Sequence, residues 1–203
     1  ALPILRMEMF LIAPIAYLIG SIPSGLILGK LFWNTDLRKF GSKNIGATNA
    51  YRTLGIYPAI IIFAADFVKG ILGVLLGIYF LNTPIAMIIG GIAVIIGHNW
   101  SLFLRFSGGK GVATGLGVIA ILMPIVTLAI FIVWVLIVVF TKYVSLASIV
   151  AAGLVPILAY FWIGQIEYII FSALAAGFVI YRHKSNIIRL LKGTEVKIKA
   201  GNK

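Results

Sequence analysis

The chain has no cysteine among its 203 residues, and acidic residues are scarce. The absence of cysteine excludes a disulfide framework, a zinc-thiolate site and a thiol nucleophile. The acids are Glu8, Asp36, Asp66, Glu167 and Glu195, against seventeen Lys and Arg. Metal-dependent phosphoryl transfer normally requires carboxylates that converge on the ion. Because so few carboxylates are present, we expect neither a metal site nor a cofactor.

Charged residues of both signs together make up only 11% of the chain, whereas hydrophobic residues make up 62%. Soluble domains are about 25% charged, so a water-soluble fold is excluded. The length suits one compact helical bundle, and no stretch is polar enough to form a separate soluble domain. We therefore expect an all-α, polytopic membrane bundle in which residues 1–203 form a single transmembrane domain.

The apolar segments predict about seven transmembrane helices, since a bilayer core of about 30 Å needs about 20 helical residues. Pro124 interrupts a run that is too long for one helix and favours a break there. The predicted segments are Met9 to Leu31, Ile56 to Leu81, Ile85 to Gly97, 112 to 122, 125 to 141, Val144 to Trp162 and Glu167 to Tyr181. The first lacks a convincing cleavage site between Tyr17 and Ser24, so we expect a retained helix rather than a signal peptide.

The formal net charge of +12 comes from Lys and Arg in short connectors. This distribution is typical of membrane orientation and contact with anionic headgroups, so we expect no nucleic-acid partner. Seven crossings, with the N-terminus outside and the C-terminus cytoplasmic, place all Lys and Arg except Arg6 and Lys69 inside. A five-crossing alternative would move Arg105 and Lys110 outside, so seven is favoured. The lysines from Lys192 onward are expected to be solvated and to face headgroups.

Small and polar residues crowd the first inside loop, from Gly41 to Gly55. Small residues let backbone amides approach an anion, hydroxyl and amide side chains add hydrogen bonds, and Arg52 adds charge. A polar turn before a helix cap would be the simpler interpretation, but a mere connector does not need so long a run. The candidate residues of this loop are Ser42, Asn44, Gly46, Ala47, Thr48, Asn49 and Arg52.

A second inside loop carries Gly-Gly-Lys-Gly at 108–111, immediately before a predicted helix. Helix N-termini present free amide donors and a positive dipole end, which suits a phosphate. The P-loop pattern is not met, and the tetrapeptide alone is a weak signal. The inside ends of the last two spans add Ser145, Ser148, Arg182, His183 and Asn186. Ser145 fits a helix N-cap as well as it fits a ligand-binding residue.

Asp66 and Lys69 lie within the second span, three residues apart on one helix face. An ionisable pair in a membrane suggests function, but mutual neutralisation explains it more simply, so we assign the pair a structural role. Neither His98 nor His183 is followed five positions later by Asp. The His-x-x-x-x-Asp pair of the better-known glycerolipid acyltransferases is therefore absent.

Three motifs in order resemble the bacterial acyl-phosphate:glycerol-3-phosphate acyltransferase family, PlsY. They are Gly41 to Arg52, Gly108 to Gly111 and His183 to Asn186, and the similarity extends over nearly the whole chain. The resemblance implies an enzyme of the bacterial cytoplasmic membrane that transfers a fatty acyl group from acyl phosphate to the 1-position of glycerol 3-phosphate. The products would be lysophosphatidate and phosphate. Its partners would be these two substrates and the lipid bilayer, with no obligate protein partner.

Acyl phosphate is a reactive mixed anhydride, so its leaving phosphate needs charge stabilisation more than a covalent acyl-enzyme. On this reading Ser42, Arg52, Lys110 and His183 are catalytic. The residues expected to bind substrate are Asn44, Gly46, Ala47, Thr48, Asn49, Gly108, Gly109, Gly111, Ser145, Ser148, Arg182 and Asn186. The base is either His183 or an oxygen of the donor's own phosphate. We favour the phosphate, because a histidine among bound dianions tends toward its charged form and donates.

The fatty chain is expected to enter laterally between helices, with the bilayer as its solvent. Small residues that line such a groove could be Gly73, Gly77, Gly90, Gly91, Gly115 and Gly117, although close helix packing explains them equally well. A phosphate transporter would need polar groups near the midplane and on both faces, and the outer face is almost bare. Acyl-CoA remains an alternative donor of the same class.

Overall fold

The computed structural model describes residues 2–198, without the side chains of residues 2–8. The predicted positions of the Arg6 side chain and of Lys199 and Lys203 therefore lie outside the described residues. Helix is the only regular secondary structure in the described range. The helices are α1 Leu2–Ser21, α2 Ser24–Trp33, α3 Ala47–Leu54, α4 Ile56–Phe80, α5 Pro84–Asn99, α6 Val112–Leu122, α7 Pro124–Thr141, α8 Val144–Leu158, α9 Ile166–Arg182 and α10 Lys184–Leu191.

All seven predicted segments are helical, and the predicted break at Pro124 is confirmed. Helix α6 ends at Leu122 and α7 begins at Pro124, because proline lacks the amide that would continue the ladder. The predicted span Met9 to Leu31 lies within one stretch long and apolar enough to cross a membrane, Met9–Trp33, but Ile22 and Pro23 divide it into α1 and α2. Helix α8 continues into one π-helical turn, Ala159–Ile163.

Length and composition single out five described stretches that can cross a membrane, from Met9–Trp33 to Val144–Ile163. A sixth results if α9 and α10, bent by 61°, form one span. The eleven residues of α6 extend only about 16 Å, roughly half of a bilayer core. Length and composition thus support five or six of the seven predicted crossings, and α6 is too short to cross a bilayer by itself.

Close packing of α1, α4, α5 and α6 depends on glycine. A methyl group on Gly73 or Gly90 would overlap the carbonyl oxygen of the other residue, and one on Gly70 would overlap that of Thr114. Of the six glycines considered for a fatty-chain groove, Gly115 lines a cavity. The others face neighbouring helices, namely Gly73, Gly77, Gly90, Gly91 and Gly117.

Helix α7 lies on the outside of the bundle, and only 11% of its residues are buried. Large apolar side chains such as Leu128, Phe131 and Phe140 are exposed along it, as expected for contact with lipid. The interior core runs through α1, α4, α5, α6, α8 and α9, around fully buried residues such as Val74, Val118 and Phe171, and α7 adds only Val126 and Ile130 to its buried residues. The short helices α3 and α10 lie at the end of the bundle where the basic loops meet.

Candidate active site

Four segments meet at the basic end of the bundle and enclose a cavity of about 510 Å³. They are the loop before α3 with α3 itself, the glycine loop before α6, the start of α8, and the junction of α9 with α10. Thirteen of the sixteen predicted site residues line this cavity: Ser42, Asn44, Gly46, Ala47, Thr48, Asn49, Arg52, Lys110, Gly111, Ser145, Ser148, His183 and Asn186. Folding therefore brings together three motifs that are far apart in the sequence.

The first loop is organised around the side chain of Asn49, which is only 1% exposed. Its amide nitrogen donates hydrogen bonds to the carbonyls of Leu37, Phe40 and Asn44, at 2.9, 3.1 and 2.8 Å. Its amide oxygen accepts one from the backbone N–H of Ser42 at 2.8 Å. All of its polar atoms are thus engaged by the protein, so Asn49 shapes the loop instead of offering a free donor to substrate.

The glycine loop is held by α5 and α9. The amide of Gly109 donates to the carbonyl of His98 at 3.0 Å, and Arg182 donates to the carbonyls of Gly108 and Gly109 at 2.8 and 2.9 Å. Gly111 adopts a φ of +78°, a left-handed conformation that favours glycine. The predicted substrate residues Gly108, Gly109 and Arg182 do not line the main cavity. Arg182 acts on the loop, and Gly108 and Arg182 line an adjoining polar cavity.

Lys110 is a half-buried cation that donates a hydrogen bond to Oδ1 of Asn186. Burial lowers the pKa of Lys110 to about 8, and nearby arginines add to this effect. Arg52 is half-buried, and one terminal nitrogen donates to the carbonyl of Val196 at 2.9 Å. Its Nε is buried without a hydrogen-bond partner among the described residues. An anion in the cavity could therefore gain charge-assisted hydrogen bonds from both side chains.

His183 follows directly after α9 and is 3% exposed. Its Nδ1 lies 2.8 Å from the carbonyl of Val179, so Nδ1 carries the proton and Nε2 is the free nitrogen of the neutral ring. Burial lowers the pKa of His183 to about 4, and the charge of Lys110 acts in the same direction. The imidazole of this structure is thus neutral, whereas the sequence analysis favoured a charged donor among bound dianions.

Glu195 is a site residue that sequence reasoning did not select. It is buried and accepts hydrogen bonds from Ser145, Asn186 and Arg189, at 2.8, 2.8 and 2.7 Å. Burial alone would raise the pKa of Glu195, but these hydrogen bonds hold it below its usual value. Ser145 is therefore neither a helix cap nor a free ligand in this structure. The only signal was that Glu195 is one of two acids in the inside connectors.

The segment after α10 folds back across the site, although its two described lysines, Lys192 and Lys197, are exposed as predicted. Besides buried Glu195, Val196 accepts a hydrogen bond from Arg52, and the amide of Ile198 donates to the carbonyl of Lys142 at 2.7 Å. Ile198 lines the main cavity. Glu195, which anchors this segment, lies between Lys192 and Lys197, and the local pattern of lysines gave no sign of its role.

An apolar cavity adjoins the polar one and lies between α6, α7, α8 and α9. Its walls include Ile119, Ile130, Ala151, Val155 and Ala176. Residues shared by the two cavities mark where they meet: Phe63, Gly111, Val112, Trp134 and Ser148. The site thus combines a basic compartment with an apolar one.

Ser148 stands at this junction, where its hydroxyl donates to the carbonyl of Val144 at 2.9 Å and accepts from Trp134 at 3.2 Å. Neither this hydroxyl nor that of Ser145 is hydrogen-bonded to a histidine, as a nucleophilic serine would require. Within the described part of the chain, no three His, Asp, Glu or Cys side chains are grouped as metal ligands.

Comparison with known proteins identifies the family. The model of a family described as glycerol-3-phosphate acyltransferase matches residues 10–193. A protein of that name from Desulforamulus reducens is 50% identical over 187 residues, which cover 90% of this chain and 92% of that protein. One from Fusobacterium nucleatum is 45% identical over 193 residues, covering 95% of this chain and 100% of that protein.

Two solved structures share the fold. Both are crystal structures of PlsY, an integral membrane glycerol 3-phosphate acyltransferase, one in a glycerol 3-phosphate form and one in a lysophosphatidic acid form. The first is 36% identical with a TM-score of 0.89, covering 94% of this chain and 96% of that one. The second is 35% identical with a TM-score of 0.85, covering 95% and 96%. The resemblance drawn from the three motifs is confirmed, and the chain belongs to the glycerol-3-phosphate acyltransferase family of integral membrane enzymes.

Proposed function

We propose that this acyltransferase takes its acyl group from acyl phosphate and transfers it to the 1-position of glycerol 3-phosphate. The products are lysophosphatidate and inorganic phosphate. Family membership establishes a membrane glycerol-3-phosphate acyltransferase. The observation that carries the finer proposal is the meeting of a basic cavity with an apolar one at Gly111, Trp134 and Ser148. An amphiphilic donor with a phosphate head and a fatty chain fits these two compartments.

The basic compartment offers donors for two phosphates. Lys110 and Arg52 supply charge, and the first amides of α6, at Val112 and Ala113, lack intrahelical acceptors. All four residues line the main cavity. Ser42 and Asn44 line both this cavity and the adjoining polar one. We assign Ser42, Arg52, Lys110 and His183 to catalysis, and Asn44 and Thr48 with the small residues Gly46, Ala47 and Gly111 to substrate binding.

The reaction requires no acyl-enzyme. The 1-hydroxyl oxygen of glycerol 3-phosphate attacks the carbonyl carbon of the donor, and the bond from that carbon to the phosphate oxygen breaks. Lys110 and Arg52 stabilise the negative charge that passes to the leaving phosphate. Holding both substrates in one cavity lowers the entropic part of the barrier. The hydroxyls of Ser145 and Ser148 are already engaged, by the carboxylate of Glu195 and the carbonyl of Val144, and neither is hydrogen-bonded to a histidine, which supports direct transfer.

The hydroxyl proton passes to an oxygen of the donor phosphate in this proposal. Bound dianions raise the pKa of a neighbouring histidine, so His183 becomes a hydrogen-bond donor when the substrates are present. The neutral ring of His183, with its free Nε2, gives the alternative of a histidine base a physical basis. The two assignments differ in the kinetics of a His183 variant, treated in the Discussion.

The donor is tested by incubating purified protein with acyl phosphate and glycerol 3-phosphate, without coenzyme A or carrier protein. We expect lysophosphatidate and inorganic phosphate in equal amounts. A parallel reaction supplies acyl-CoA in place of acyl phosphate. Lysophosphatidate formed from acyl-CoA but not from acyl phosphate would overturn the proposed donor.

We also propose that residues 1–203 act as one transmembrane domain in the bacterial inner membrane, with the active site on the cytoplasmic face. Lys and Arg collect on the cytoplasmic side of membrane proteins. The cavity end carries Lys30, Arg52, Lys110, Lys142 and Arg182, which supports this orientation.

A further inference from the structure

A buried set of ionisable side chains lies next to the glycine loop, outside the predicted catalytic set. Asp66 and Lys69 belong to α4 and His98 to the end of α5, and their exposed fractions are 3%, 5% and 4%. Asp66 and His98 both line the main cavity. Ionisable groups at membrane depth are costly and mark function in most membrane proteins. Mutual neutralisation, which was the sequence-based explanation, accounts for Lys69 but leaves His98 unexplained.

Lys69 neutralises Asp66 and fastens the neighbouring helix break. Its Nζ lies 2.9 Å from Oδ1 of Asp66, while its hydrogen bonds go to the carbonyl of Ile22 at 2.9 Å and the hydroxyl of Ser24 at 3.4 Å. Oδ1 of Asp66 is therefore paired by charge and has no hydrogen-bond partner among the described residues. One acceptor of the carboxylate remains available.

His98 faces this acceptor on one side and the glycine loop on the other. Its Nδ1 lies 3.7 Å from Oδ1 of Asp66 and likewise has no hydrogen-bond partner in the described range. A methyl group added to Gly109 would overlap Nε2 of His98, so ring and loop are in contact. The carbonyl of His98 also accepts the hydrogen bond of the Gly109 amide. Orphaned buried polar atoms are rare, and here the unpartnered Nδ1 of His98 faces a carboxylate oxygen that can accept more than the one contact it makes with Lys69.

We propose that His98 is a positioning residue, oriented by Asp66, that sets the place of the glycine loop and thereby of Lys110 at the substrate phosphate. The ring supports Gly109, and Arg182 holds the loop carbonyls, so Lys110 cannot move independently of either contact. His98 acts through the loop, because its Nε2 lies against Gly109, and is therefore a positioning residue and not a catalytic one. The inference relies on the proposed function only in pairing Lys110 with a substrate phosphate.

A double-mutant cycle between His98→Ala and Gly109→Ala tests the contact. The measurement is the dissociation constant for glycerol 3-phosphate by titration calorimetry in detergent micelles, with the melting temperature recorded for each variant. We expect each single substitution to weaken binding about tenfold, or about 1.4 kcal/mol. The double variant should bind glycerol 3-phosphate at least as tightly as the weaker-binding of the two single variants. The reason is that the methyl group introduced by Gly109→Ala occupies the space left by the imidazole of His98. Additive losses would overturn the inference.

The part played by Asp66 needs a second variant, because Asp66→Asn alone leaves the Lys69 ammonium unneutralised in the membrane. The paired change Asp66→Asn/Lys69→Met removes both charges. We expect the paired change to weaken binding of glycerol 3-phosphate about tenfold in the wild-type protein. Added to His98→Ala, it should weaken binding no further. Wild-type affinity in the paired variant would overturn the role of Asp66, and should that variant fail to fold, the His98–Gly109 cycle decides alone.

Glu167→Gln, an exposed acid at the start of α9, is the matched control and should bind as wild type. His98→Asn keeps a polar atom near the place of Nδ1 and should restore part of the affinity lost in His98→Ala. A purely structural histidine would lower the melting temperature without this pattern of coupling and rescue. Binding of glycerol 3-phosphate requires no donor, so failure of the acyl-phosphate proposal would leave these results unchanged.

Discussion

Lys110 is a cation whose charge changes within an accessible range of pH. Burial lowers its pKa to about 8, and a bound phosphate raises that pKa again by stabilising the ammonium. Free enzyme and complex therefore titrate differently. Arginine at the same position would remain charged throughout this range, although its planar head does not reproduce the geometry of an ammonium.

We expect kcat/KM for glycerol 3-phosphate to fall above about pH 8, whereas kcat falls only at higher pH, since kcat reports the complex. In Lys110→Arg, kcat/KM should no longer fall between pH 8 and pH 10, even if its value is lower at every pH. Steady-state rates from pH 6 to 10 measure both limbs, and Lys192→Arg, an exposed change outside the site, is the control. An unchanged alkaline limb in Lys110→Arg would assign the titration to another group.

His183→Gln separates the two candidate bases. If the donor phosphate takes the proton, the variant loses mainly a hydrogen bond to a charged group, about 1.5 to 3 kcal/mol in glycerol 3-phosphate affinity. Its residual rate should keep the wild-type pH dependence. A histidine base predicts instead an unchanged affinity with a kcat lowered about 10²- to 10⁴-fold and the acidic limb abolished. Calorimetric affinity and a pH profile of kcat on the same preparation distinguish the outcomes.

At the scale of elements, helices α6 to α9 form most of the wall of the apolar cavity, and α8 contributes Ser148, Ala151, Ala152 and Val155 to it. Ala151 is buried on α8 and lines only the apolar cavity. The apolar cavity has a volume of about 110 Å³, so the size of the side chain at position 151 limits what fits. Trp134 and Ser148 lie closer to the reacting end, at the junction with the basic compartment.

Ala151→Phe should therefore lower kcat/KM more for a sixteen-carbon than for an eight-carbon acyl phosphate, by about tenfold in the ratio, because the ring fills space that the longer chain needs. Competition between the two donors, with products separated by mass, measures the ratio directly. Ala173→Phe, on an exposed position of α9, serves as control and should leave the ratio at its wild-type value. An equal loss of kcat/KM for both donors would show that the fatty chain binds outside this cavity.

At the scale of the whole molecule, helix α8 with its π turn, Val144–Ile163, is a span with connectors at both ends. Lys142 is exposed at the cavity end and Gln165 at the opposite end. The positive-inside rule assigns the cavity end to the cytoplasm. The chain has no cysteine, so a single introduced cysteine reports its own position without background.

We expect a membrane-impermeant maleimide to label Gln165→Cys in intact spheroplasts and to label Lys142→Cys only after permeabilisation. Labelling of denatured protein provides the reference for complete reaction. The reverse pattern would place the active site on the outer face. Enzyme activity of both variants confirms that the labelled protein is folded.

Residue patterns alone predicted the membrane class, the helical segments and the break at Pro124, and most of the residues that they proposed for the site line the main cavity. Apolar runs must become helices in lipid because backbone groups find no other partner there, and proline removes an amide wherever it stands. Both effects depend on the local sequence. The three motifs likewise carry their polar and glycine residues in short stretches that can be recognised without a fold.

Tertiary structure alone decided which polar groups are already engaged. Asn49 donates hydrogen bonds to carbonyls of its own loop, and Arg182 donates to the carbonyls of the glycine loop. Glu195 anchors the segment after α10 by accepting a hydrogen bond from Asn186. It also showed that Gly73 and Gly90 pack helices, and that His98 lies against Gly109. Each of these depends on a contact between residues distant along the chain or on different elements, and local pattern and spacing contain no information about such contacts.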